Sequence, residues 1–221
     1  MQGEEGYSAC QSEPKHVESI MTISVTIDSC AWNFFFDNEY DLCVELPPER
    51  FSLFITREVE LELDQIPDES HGFDKRPLKE YIRNSIERRQ VKTTCVFGFY
   101  CGESPDDPAR YGGFGQGTFE SDIERDWRQR ENTQRYVIGA SKGKTSVLRK
   151  NEADVSLAVA SLSSVLITVD KKKDAKPGKK GPIHDAAING GRVAYTDDFK
   201  SSGLTLADFI EKNFIEPNGT S

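Results

Sequence analysis

The sequence of 221 residues has only five cysteines, three histidines and two methionines, and it has fewer basic than acidic side chains. Each shortage excludes something. Cys10, Cys30, Cys43, Cys95 and Cys101 contain no CxxC pair, and an odd number leaves one thiol over in any disulfide scheme. They read as reduced thiols rather than a disulfide framework. Three scattered histidines with these cysteines do not supply the compact ligand set of a tetrahedral zinc site. No apolar run reaches ten residues, so no membrane-spanning helix is expected. Residues 1–20 lack the apolar stretch of a secretory signal and carry Glu4, Glu5, Glu13 and Glu18. A flexible tail and cytoplasmic placement are therefore expected. The net charge of −9 argues against broad coating of nucleic acid, while leaving room for a local basic patch beside clustered acids.

What is present reads as one globular domain over residues 21–221, with 36% hydrophobic residues to form its core. Thr22 to Asp28 alternates β-branched and hydroxyl residues, which predicts a first strand ending on an acid. Ala31 to Phe36 starts an aromatic-rich helix or turn, Tyr40 to Glu49 is a polar connection, and Phe51 to Ile55 is a second strand. Thr56 caps a helix running to about Leu63. Residues 64–76 read as a loop and 77–90 as an amphipathic helix with a basic outer face. A strand centred on Thr94 to Phe97 precedes a Gly-rich stretch and a charged, solvated helix over 119–135. Tyr136 to Ile138 is strand-like. Asn151 to Leu162 is a helix leading into a strand from Val165 to Asp170, and a basic loop covers 171–182. A short helix over 183–189 stopped by Gly190-Gly191, a strand over 192–196 and a helix over 205–213 close the chain. Strands alternating with helices predict an α/β fold, a three-layer α/β/α sandwich on a mostly parallel sheet.

Carboxylates converge in that scheme. Asp28 and Asp170 end parallel strands and so share one sheet edge, where open α/β sheets bind ligands. Asp154 lies in the first turn of a helix antiparallel to the strands, which starts at the same edge. Glu62 follows the second strand on its helix, one turn from Glu58. Gathered carboxylates repel one another unless a cation joins them, and oxygen-only ligands suit Mg²⁺ or Mn²⁺.

The strings Thr26-Ile27-Asp28-Ser29, Ile55 to Leu63, Asn151 to Ala158 and Val165 to Asp170 resemble the four ordered motifs of PIN-like nucleases. The resemblance spans residues 22–170, with Gly190 to Ile210 fitting a closing strand and helix. It implies the three-layer fold, a metal-dependent ribonuclease or structure-specific nuclease activity, and ligand roles for Asp28, Glu62, Asp154 and Asp170. Thr168 matches the hydroxyl residue that precedes the last acid, and Glu58 competes with Glu62 for the second position. The chain exceeds compact toxin-type members chiefly through an insertion over 101–150. The expected substrate is single-stranded RNA, and a homo-oligomer, an antitoxin or another protein partner stays open.

Basic residues flank the acids. Lys142, Lys144, Arg149 and Lys150 precede Asp154, while Lys171, Lys172 and Lys173 follow Asp170, so both runs are candidate phosphate contacts. Gly139 to Thr145 departs from a phosphate-cradling loop because only three residues, not four, separate its glycines. The stretch with Arg110, Tyr111, Phe114 and Phe119 reads either as a base-stacking surface or as aromatics packed on their own scaffold. The two other readings of the whole chain are a PIN-like scaffold that binds RNA or protein without cutting, and a nucleotide-binding loop protein.

Overall fold

A computed structural model describes residues 22–98, 109–113, 117–138, 146–171 and 180–216. Five parallel strands form the central sheet, and the hydroxyl alternation of the first strand sets its two faces. These strands are β1 (Ile23–Ile27), β2 (Phe51–Thr56), β5 (Lys92–Thr94), β6 (Val165–Thr168) and β7 (Val193–Tyr195), in spatial order β5-β2-β1-β6-β7. Side chains alternate across a strand, so the register Val25 to Leu53 and Val165, with Ile27 to Ile167, lines up one wholly apolar face. The opposite face carries Ser24, Thr26 and Phe54, continued by Thr56 beside Thr94.

Helices cover both faces as right-handed crossovers require. Helix α1 (Ser29–Asp37) packs on α4 (Arg76–Arg89), with Trp32, Phe35, Leu78 and Ile82 buried. On the other side α7 (Glu152–Ala160) packs on α8 (Pro182–Ile188) and on α5 (Asp122–Gln129) and α6 (Glu131–Val137). Helix α3 (Arg57–Asp64) touches both α1 and α7. One apolar cluster runs from Val25 to Ile210 and includes Trp127 of α5, so the part of the 101–150 region that is described belongs to a covering layer. Among the described residues no helix is long and apolar enough to cross a membrane.

Several expectations need correction. Asp41 N-caps a short helix α2 (Leu42–Glu45), its Oδ1 accepting from Cys43 N at 2.9 Å, within the expected polar connection. The 64–76 loop holds a small hairpin, β3 (Glu69–Ser70) and β4 (Phe73–Asp74), turned by His71 and Gly72 at positive φ. Beyond β5, Val96 and Phe97 form only isolated bridges, to Thr118 and Gly112. The charged helix is two helices broken at Arg130, where ψ is 139°, and Trp127 anchors it at 1% exposure. Tyr136 and Val137 end α6 and are not a strand. A helix α9 (Thr196–Ser202) follows β7 directly, with the extended Tyr195 (φ −80°, ψ 132°) serving both as the end of the strand and as the N-cap. Thr205 caps α10 (Leu206–Ile210) as expected, and one π-turn follows over Glu211–Ile215.

Gln90 ends α4 in the left-handed region at φ 49°. A side chain is strained there and glycine is not. Gln90→Gly is expected to stabilise the fold by about 1 kcal/mol, read as a higher urea midpoint at unchanged m-value.

Candidate functional site

The chain leaves β1 to one side to build β2 and β5, then returns to place β6 and β7 on the other side of β1. The β1/β6 junction is therefore the topological switch point, the place where open sheets leave a crevice at the strand ends. Asp28 is the residue after β1. It sits at the N-cap of α1 but makes no side-chain cap bond there. Its carboxylate, 5% exposed, turns toward β6 instead. Oδ2 accepts the Thr168 hydroxyl at 2.6 Å and the Cys30 thiol at 2.9 Å, while among the described residues Oδ1 has only a long 3.4 Å contact from Ser29 Oγ.

Thr168 is fully buried and joins two of the acids. Its hydroxyl donates to Asp28 and accepts the Asp170 N–H at 3.0 Å. β6 ends at Thr168, so Asp170 lies two residues past the strand rather than at its last position. There it also bears on Tyr195 of β7, whose phenol is raised by burial first and by the Asp170 and Asp198 charges next.

Glu62 of α3 reaches the same edge. Burial raises its pKa, a hydrogen bond from Ser29 opposes this, and the charges of Asp28, Asp154 and Glu58 raise it further. Asp28, Glu62 and Asp154 thus share one field, although they come from β1, α3 and α7. Glu58 parts from them: it hydrogen-bonds Ser156 and faces Arg128 and Glu152 on the hydroxyl-bearing side of the sheet. Glu62 thus feels the charges of Asp28 and Asp154, while Glu58 is set by Ser156, Arg128 and Glu152. Among the described residues, no three acid, histidine or cysteine side chains close around a single point where an ion could be held. In donor chemistry the set does fit a hard divalent cation, being oxygen-only and mutually repelling.

The basic candidates are placed less favourably. Lys142, Lys144, Lys172 and Lys173 lie outside the described residues, as does Phe114. Lys171 pairs with Asp198 and lies 5.4 Å over the Tyr195 ring, so its charge is already met. The Arg149 N–H donates to Glu152 Oε2 at 2.8 Å, and Lys150 is exposed. Arg110 forms an ion pair with Glu152 and donates to the Val147 carbonyl at 2.7 Å. Gly112 and Gly117 are in backbone contact, where a Cβ on Gly112 would lie 2.6 Å from Cys95 Sγ. These glycines serve close packing beside β5. Tyr111 and Phe119 remain exposed, and Phe119 stacks on Phe97 with centroids 4.7 Å apart.

Two site residues were not singled out from the sequence, Ser29 and Cys30. Their signal was adjacency: both begin α1 directly after Asp28, so their side chains must surround its carboxylate. Burial and the Asp28 charge push the Cys30 thiol up to about 12, which makes it a donor to Asp28 and a poor nucleophile.

The fold and edge thus define an α/β/α protein with a five-stranded parallel sheet and an acid cluster at its switch point. No protein-family model, curated protein or solved structure matches the chain.

Proposed function

We propose that the chain is a PIN-like, metal-dependent nuclease that hydrolyses phosphodiester bonds, with single-stranded RNA as substrate and the cytoplasm as its place of action. The observation that carries this reading is the arrangement at the switch point: the Thr168 hydroxyl links the Asp28 carboxylate to the Asp170 backbone N–H, and Glu62, raised first by burial, is raised further by Asp28 and Asp154. Mg²⁺ or Mn²⁺ held by Asp28, Glu62, Asp154 and Asp170 would supply an activated water and offset charge on the phosphate. The protein's own part is to present oxygens. Thr168 and Cys30 both donate to Asp28 Oδ2, which leaves Oδ1 the less engaged oxygen and fixes the direction it faces. Ser29 hydrogen-bonds Glu62.

Metal titration tests this. Mn²⁺ at one hundred times its Kd should add about 2.7 kcal/mol to stability, seen as a rise of several degrees in the unfolding midpoint. The pH dependence has a defined sign. Glu62 is raised above its ordinary 4.5, so the metal-free protein loses stability as pH climbs from there through the raised value. Mn²⁺ should reverse that loss, and a midpoint indifferent to Mn²⁺ at neutral pH would end the proposal. The rival reading, a scaffold that binds RNA or protein without cutting, predicts that indifference. A nucleotide-binding loop at 139–145 lies outside the described residues, and the strand expected to lead into it is the end of α6.

A further inference from the structure

The hydroxyl-bearing face of the sheet is not filled by the helices that cover it. A cavity of about 440 Å³ separates Ser24, Thr26 and Phe54 from α5 and α7, within the range of small-ligand sites. We propose that this cavity binds a small organic cation, an amine or guanidinium compound.

The hydrogen-bond directions carry the argument. Five of the hydroxyls around the cavity spend their protons on the protein itself. Thr26 donates to Ser164 Oγ at 2.9 Å, Thr94 to the Ile55 carbonyl at 3.2 Å and Thr118 to the Cys95 carbonyl at 3.3 Å. Ser163 and Ser121 donate to the two oxygens of Glu124, at 2.6 and 2.8 Å. A hydroxyl whose proton is committed offers a visitor only lone pairs. The lining is therefore rich in acceptors, and it suits a ligand rich in donors.

Charge points the same way. Glu58, Glu120 and Glu124 face the cavity with one cation, Arg128, which already donates to Glu120 at 2.6 Å. An anion would meet three carboxyl groups and a guanidinium already engaged. A neutral polyol would leave the carboxylate charge uncompensated. Glu58 is raised because burial outweighs its backbone hydrogen bond, Ser156 and Arg128, and a cation beside it would offset that burial. Phe54 and the 81%-exposed Phe119 add ring faces suited to a cation.

This inference does not rest on the nuclease reading. Calorimetric titration of the full chain with putrescine, agmatine and spermidine tests it. At least one probe should bind at a single site. Glu58→Gln should weaken that probe about tenfold or more, the worth of a charged hydrogen bond. Ala160→Leu fills the cavity without changing a charge and should abolish binding, with circular dichroism checking that both variants fold. Asp28→Asn should leave binding unchanged, which separates the cavity from the strand-end acids. Failure of all three probes to bind saturably overturns the proposal. So does binding that survives both cavity variants, or binding lost with Asp28.

Discussion

Asp28→Asn is expected to lower Mn²⁺-dependent cleavage of single-stranded RNA about a thousandfold while the protein stays folded. Removing a metal-binding charge forfeits several kcal/mol of transition-state stabilisation, and each 1.36 kcal/mol is a factor of ten. The fold tolerates the change because Asn keeps an oxygen for the buried Thr168 hydroxyl, the shorter of the two bonds that Oδ2 accepts. Relief of the Asp28 charge on Glu62 acts in the same direction, so the metal-free midpoint should hold or rise. Asp28→Ala would confuse the experiment, since it leaves Thr168 without its acceptor at a cost of about 1–3 kcal/mol. Glu62→Gln should lose cleavage as Asp28→Asn does, and Glu58→Gln should not, because Glu58 faces Ser156 and Arg128 rather than Asp28. Time courses on an end-labelled RNA, paired with thermal unfolding of each variant, read all three. Parent-level cutting by Asp28→Asn sinks the nuclease assignment.

The parts of this fold that were legible in the sequence are those where one local pattern decides the structure. β1 carries strict alternation, β2 is a short apolar run, Thr56 caps α3, and Gly190 at φ 98° ends the turn after α8. From such elements the parallel sheet and three layers follow. The misreadings share a different cause. Trp127 sits in a segment so charged that it reads as solvated, yet one indole packed into the core decides its placement. Tyr136-Val137-Ile138 has a strand's composition, but Tyr136 and Val137 continue a helix begun at Glu131, because tertiary contact with α7 outweighs β-propensity. At the site, the positions of Asp28 and Asp154 could be argued from strand and helix direction alone. Which oxygen of Asp28 is tied down could not, since that depends on Thr168 lying 140 residues away. Nor could the parting of Glu58 from Glu62: both follow β2 on one helix, and only the packing of α7 sends one to the hydroxyl face and the other to the strand ends.

Arg89→Met is expected to be the most destabilising change away from the site. The residue belongs to a helix whose charge pattern reads as a basic outer face, but Leu78, Ile82, Ile86 and Arg89 follow at helical spacing along the apolar stripe. Arg89 is accordingly 6% exposed, and burial lowers its pKa. Its Nε donates to the Leu46 carbonyl at 2.8 Å and to that of Leu42 at 3.3 Å, and Nη2 donates to the Phe51 carbonyl at 2.8 Å. One guanidinium thus satisfies the end of α2 and the start of β2, which fixes where the chain enters the sheet beside β1. Methionine preserves the apolar stem but takes the guanidinium donors from the Leu46 and Phe51 carbonyls, at about 1–3 kcal/mol each, while the Leu42 carbonyl keeps the Leu46 N–H. The loss should total about 3 kcal/mol or more, a fall in unfolding midpoint of about 6–12 °C for a chain of this size. Arg89→Lys keeps the charge but not the planar fork, so it should recover only part of the loss. Equal stability of the lysine variant and the parent would show that charge alone, rather than the three directed bonds, holds this junction.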